Sequence, residues 1–232
     1  MTFLISTPCL FFTNWYIIKA AYFYAIGYKM NVRRGRPPAY QKELALSALT
    51  ETFRLNGYVA TSLDALVSAT GMNRPSLFAA FGNKHSMYLA ALDHFRDTVR
   101  SRLQPELEAG RSLSEDMTAF YECAIEHYCE GNALGCLLLS TALSDAPNDS
   151  EVRDRLRQSV NEIEAAIGQR VKRALAKECD EESHHYLTKI LLSQLIALSA
   201  QARMGIPEEQ LRHSIRLVLS AILPSDGRTP CG

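Results

Sequence analysis

From Tyr40 onward the apolar residues recur at spacings of three and four, which predicts helices throughout. Leu44, Leu46, Ala48, Leu49 and Phe53 form a first stripe that stops at Asn56-Gly57, a good carboxyl-terminal stop. Thr61 or Ser62 can cap a second helix with Leu63, Leu66 and Val67 facing inward, and Gly71 ends it. Asn73 can cap a third, with Pro75 tolerated in its first turn and Leu77 and Phe81 on one side. The rest of that third helix (Arg74, Ser76, Ala79, Ala80) is small or polar, so one side is free to approach something closely. Two short helices joined by a tight glycine turn make a helix-turn-helix, in which the second helix enters the DNA major groove. An ordinary helical hairpin is the alternative, but it needs neither the basic approach RRGRPP upstream nor Lys84 just after the third helix.

The remaining pattern predicts a larger helical body. A fourth helix runs from Lys84 to Arg102 and links the two parts. A fifth, from about Ser114, puts Met117, Phe120, Tyr121, Ala124 and Tyr128 on one face with His127 nearby, a mixture of core and pocket lining. Gly135 to Asp145 reads as a short apolar helix ended by Pro147, and Asp149 to Lys177 as a long amphipathic one. Ser183 to Met204 is apolar on more than one side, as expected of a helix covered by its own body and by a second chain. The last helix follows Pro207 and two acids. Two such helices from each of two chains would form a four-helix dimer interface through Leu191, Leu195, Leu198, Ala202, Leu211, Ile215, Val218 and Ile222.

Charge sharpens this division. The chain is neutral overall, with 25 basic and 25 acidic residues, yet residues 31–84 carry a net charge of +4 and residues 85–232 a net of −6. A basic segment on an acidic body suits a protein that touches a polyanion at one end. The expected organisation is an apolar extension over 1–29, a basic arm over 30–39, a DNA-binding domain over 40–85, a ligand-binding and dimerisation domain over 86–223 and a tail over 224–232. Residues 1–29 have no acid and no basic residue before Lys19, so they lack a signal peptide's charged start. They read as a start codon assigned too far upstream, or as a membrane-surface anchor. The six cysteines show no C-x-x-C pair, which argues against a zinc site or disulfide framework and fits a reducing cytoplasm. No cofactor or metal is expected.

The stretch GYVATSLDALVSATGMNRPSLFAAFGNKHSMY resembles the DNA-binding signature of the TetR (TetR/AcrR) family of transcriptional regulators over residues 40 to 90. The resemblance implies an all-α homodimer with three amino-terminal helices for an operator and the others for an effector pocket and dimer interface. It implies that Thr61 and Ser62 bond a phosphate, that Asn73, Arg74, Pro75 and Ser76 face bases or backbone, and that Lys84 binds a phosphate. Arg74 suits a guanine contact because its fork matches O6 and N7. Phe78 stands where the family has tyrosine, so a hydroxyl contact is lost and only apolar contact is left. Arg34-Gly35-Arg36-Pro37 resembles an AT-hook core, whose arginines lie in a narrow minor groove; a basic tail acting by counterion release is the alternative. Cys136 lies in a stretch similar to one through which some relatives sense electrophiles, and a buried structural thiol is the alternative.

The expected function is a cytoplasmic, homodimeric, ligand-released repressor on a palindromic operator, its effector an unidentified small molecule. A cysteine-based repressor of the same fold is an alternative. A helical-bundle enzyme would need paired acids, a phosphate loop or a nucleophile beside a histidine, none of which the sequence displays. A protein-binding adaptor would have no salt-dependent affinity for duplex DNA.

Overall fold

A chain whose apolar periodicity is helical from end to end must bury its stripes helix against helix. The computed structural model describes residues 39–131, 135–176 and 179–223, and among these there is helix and no strand. Helix α1 spans Ala39–Ala60, and Gly57 kinks it at φ 75° where the sequence predicted an end. Helix α2 (Leu63–Thr70) is capped by the Ser62 side chain, which accepts the Ala65 N–H. It closes on Gly71 at φ 65°, a left-handed conformation that glycine adopts without penalty. Helix α3 (Arg74–Phe81) starts at Asn73, whose side chain accepts the Ser76 N–H.

Leu49, Phe53, Leu66 and Leu77 are fully buried together with Met87 and Tyr88, so the first three helices share a core with the start of α4 (Lys84–Glu108). That sharing is why the described residues form one compact unit. Helix α4 runs past the predicted end at Arg102 and through Pro105, because its buried stripe (Leu92, Phe95, Val99, Leu103, Leu107) continues. Burial of Leu103 and Leu107 outweighs the one helical hydrogen bond that proline removes.

Helix α5 (Leu113–Cys129) opens on a capping box in which Ser112 and Glu115 satisfy each other's backbone N–H. The short helix predicted over Gly135–Asp145 is replaced by one π turn (Leu137–Thr141) and a 3-10 turn (Ala142–Ser144). Leu137, Leu138 and Leu139 are all buried. Successive α-helical residues point about 100° apart, so three in a row cannot share one face, whereas irregular backbone can submerge them. Helix α6 (Ser150–Leu175) is capped by Asp149, and α7 (Glu181–Arg203) and α8 (Glu208–Ile222) complete the body.

The predicted dimer set is corrected by burial. Leu191, Leu195, Leu198 and Ala202 of α7, with Leu211 and Ile215 of α8, belong to the protomer's own core, while Val218 and Ile222 sit half-buried at its border. The outward face instead carries Tyr186, Ile190 and Leu217, which are 59%, 44% and 58% exposed. Both sides of α7 are apolar, and its predicted interface residues lie on the side that the protomer itself covers. Cys179 is a second correction, because it is disulfide-bonded where unpaired thiols were expected.

A buried carboxylate ties α5 to α6. Asp116 is fully buried and accepts from Arg111 Nε at 2.8 Å and Arg170 Nε at 2.7 Å. Burial alone would raise its pKa, but the two guanidinium hydrogen bonds hold it below the usual carboxylate value. Among the described residues no helix is long and apolar enough to cross a membrane. Residues 1–38, including Arg34, Arg36 and the apolar extension, lie outside the described residues, as does the tail at 224–232.

Candidate functional site

Helix α3 presents its outward side as Asn73, Arg74, Pro75, Phe78 and Ala79, all exposed, while Leu77 anchors the inner side. Arg74 is held before any ligand arrives, since its Nη2 donates to Asp64 Oδ1 at 2.6 Å across the turn from α2. Sequence inspection did not single out Asp64, although its place in the first turn of α2 was the available signal. The Ser76 N–H is taken by Asn73, leaving the Ser76 hydroxyl at the edge of the face. Phe78 is 40% exposed, as an apolar contact requires.

Thr61 and Ser62 divide their work. Thr61 is buried and donates its hydroxyl to the Gly57 carbonyl at 2.6 Å, which stabilises the kink rather than offering a surface contact. Ser62 is exposed, and while its oxygen caps α2 its O–H proton remains free to donate. Lys84 lies with its Nζ 4.5 Å above the Tyr58 ring and 3.5 Å from the Val59 carbonyl, a cation–π seat at the start of α4.

This face is joined to the body at several points. Tyr88 donates to Asp145 at 2.9 Å, and His85 Nε2 lies 2.7 Å from Asp149, the cap of α6. Arg54 of α1 donates to the Glu130 carbonyl at 2.7 Å, and Arg203 of α7 donates to the Arg54 carbonyl at 2.6 Å. The first turn of α4 is therefore gripped by the 145–149 turn, and the end of α1 by the ends of α5 and α7.

Behind these links the body holds a cavity of about 310 Å³ between α4, α5, α6 and the 136–139 segment. Of the residues predicted to line a pocket, Phe120, Tyr128 and Cys136 do so. Met117, Tyr121, Ala124 and His127 are not among the lining residues and pack into the surrounding core. The Tyr121 hydroxyl donates to the Leu191 carbonyl, and burial raises its pKa. His127 accepts at Nδ1 from Arg102 at 2.9 Å. Its pKa is pushed down to about 4 by burial, then by the Arg54 and Arg102 charges.

Most of the lining comes instead from α4 and α6: Phe95, Val99 and Leu103 supply apolar wall, and Ser159 and Glu162 supply polar groups. Those helices read as continuous amphipathic stripes, and nothing in a stripe shows where two packed faces part. Cys136 accepts the Leu139 N–H at 3.4 Å, which favours a thiolate, but burial dominates and pushes its pKa up to about 11. A thiol whose pKa is raised in this way carries little thiolate at neutral pH.

Comparison with known proteins agrees with this geometry. The family described as "Bacterial regulatory proteins, tetR family" matches residues 45–91, which span most of α1, all of α2 and α3 and the start of α4. The HTH-type transcriptional repressor ComR of Escherichia coli K12 is 29% identical over 77% of this chain and 87% of its own. The HTH-type transcriptional repressor BdcR of the same organism is 29% identical over 76% of this chain and 86% of its own. Among solved structures, a cysteine variant of the TetR-family regulator CifR in complex with a 26-base-pair operator duplex is 28% identical. It superposes with a TM-score of 0.72 over 82% of this chain and 100% of that one. The match thus covers the helices that present the exposed face and extends through the body behind them: residues 45–91 carry the tetR-family domain, and the chain as a whole is similar to TetR-type regulators.

Proposed function

We propose that this protein is a DNA-binding transcriptional repressor that acts as a homodimer on a palindromic operator and is released by a small molecule held in the α4–α5–α6 cavity. The observation that carries the reading is the outward side of α3, a short helix anchored by Leu77 whose exposed surface is polar and small. Such a helix can lie in the major groove with Arg74 at base edges, while Ser62 and Lys84 reach phosphates on either side. Similarity to proteins named as repressors, and to a regulator solved on its operator, supports the same assignment.

A dimer follows from the outward stripe of α7 and α8, where Tyr186, Ile190 and Leu217 lack cover within the protomer. A twofold interface there doubles the contacts of one short helix and sets two half-sites about one helical turn, or a multiple of it, apart. Release is a population shift, in which the effector binds better to the form whose α3 helices are wrongly spaced. The His85–Asp149 and Tyr88–Asp145 contacts connect the cavity's neighbourhood to the first turn of α4.

Footprinting on the DNA flanking the gene tests the reading. Protection of two inverted half-sites, weakening steeply with salt, is the expected result. Unprotected DNA at low salt would leave the exposed face of α3 without its assigned partner.

A further inference from the structure

The cavity wall is mostly apolar, and two polar atoms among its lining residues lack hydrogen-bond partners. Ser159 is 1% exposed and its Oγ is unsatisfied among the described residues. One turn along α6, Glu162 Oε2 is buried and equally unsatisfied, although Oε1 accepts from Gln158 at 2.8 Å. Residues three apart on a helix share a face, so the two groups stand together among the lining residues. A buried polar atom left without a partner is costly, and a ligand that supplies one is rewarded.

The surrounding charges narrow what that partner is. Glu162 Oε2 lies 3.9 Å from Arg96 Nε and 3.8 Å from Arg100 Nη1, within ionic range but too far for a hydrogen bond. Both arginines are occupied elsewhere, Arg96 by Asp93 at 3.2 Å and Asp97 at 3.4 Å, and Arg100 by Asp97 at 3.4 Å. An anionic ligand would meet the Glu162 carboxylate with no unclaimed cation to hold it. A cationic amine would bring a full charge into a largely apolar cavity at a desolvation cost that a neutral donor does not incur. A neutral donor escapes both objections.

Resting on the reading of this cavity as the effector site, we propose that the effector is a compact apolar molecule bearing a neutral hydroxyl, phenolic or alcoholic, that bonds Ser159 Oγ and Glu162 Oε2. Its body lies among Phe95, Val99, Leu103 and Phe120. A volume of about 310 Å³ is that of roughly ten waters in the liquid, enough for a two-ring aromatic. Exposed Arg100, Gln104 and Gln169 mark the mouth through which it passes between α4 and α6.

The probes are 2-naphthol, naphthalene and 2-naphthoate, measured by calorimetry and competition on the full chain. The parent should bind 2-naphthol about tenfold or more tighter than naphthalene, since a site that hydrogen-bonds a hydroxyl rejects the analogue lacking it, and 2-naphthoate should bind more weakly than 2-naphthol. In the Ser159→Ala/Glu162→Leu variant, checked for helicity, the preference for 2-naphthol should fall to about twofold or less, and Ser159→Ala alone should lose part of it. Equal binding of 2-naphthol and naphthalene by the parent, no binding of either, or tightest binding of 2-naphthoate overturns the proposal. The same ligands are added to the operator complex: hydroxyl-dependent binding that leaves the complex intact would uphold the ligand chemistry and instead refute release through this cavity.

Discussion

At the scale of single residues, Arg74 and Asp64 show how the side chain proposed to read a base is held in place. The 2.6 Å contact restrains the guanidinium, and Asp64 keeps a negative charge beside the surface proposed to face phosphates. Arg74→Ala should cost about 1–3 kcal/mol on the operator and relax preference at one base pair. Asp64→Ala should do the reverse for affinity: binding to unrelated DNA rises, and the ratio of operator to unrelated DNA falls. Anisotropy titrations on both duplexes check the pair, and an unchanged ratio in both variants would remove Arg74 from the interface. His127 makes a different prediction. Its pKa is about 4 in the fold and about 6.5 when unfolded, so the folded state takes up its proton less readily. Stability is therefore full above about pH 6.5 and declines as pH falls towards 4, by about 2 kcal/mol between pH 7 and pH 5. Urea unfolding should show that slope in the parent, and His127→Gln should flatten it.

Helices α7 and α8 set the question at the scale of elements, because both sides of α7 are apolar and only one is covered by its own chain. Leu195 is fully buried inside the protomer, whereas Ile190, just over one turn earlier, is 44% exposed on the outer stripe. Aspartate at the two positions should separate folding from association. Leu195→Asp buries an unpaired charge in the core and should destabilise by upwards of about 4 kcal/mol, leaving little folded protein. Ile190→Asp should keep its helical circular dichroism but run as a monomer in light scattering and lose affinity for a palindromic duplex. A dimeric Ile190→Asp protein would place the interface elsewhere.

For the molecule as a whole, the proposed release requires the cavity between α4, α5 and α6 to communicate with the exposed side of α3. Filling the cavity should separate the two activities. Ala166 lines it, so Ala166→Phe should occupy much of the volume without touching α3 or the outer stripe of α7 and α8. That variant should dimerise and hold operator DNA like the parent but no longer be released by a ligand that releases the parent. Release at the parent's ligand concentration would show that the signal enters by another route. Cys136 bears on the same question, since a thiol with its pKa near 11 reacts slowly with electrophiles at neutral pH.

Local chemistry made much of this protein legible before any coordinate. Ser62, Gly71, Asn73 and Pro75 act through their own backbone within a turn or two, and each stands at the boundary it predicts. Helix positions and the polar side of α3 follow from periodicity and capping, which are properties of neighbours in sequence. Tertiary packing decided the rest. Whether a stripe is core or interface depends on which other helix reaches it first, so Leu191, Leu195 and Leu198 turned inward and Ile190 outward. A cavity is space that three packed helices fail to fill, so Ser159 and Glu162 became a polar pair facing it only when α4, α5 and α6 met. Thr61 changed role for the same reason: an exposed hydroxyl and one spent on the Gly57 carbonyl are identical in sequence, and burial alone distinguishes them.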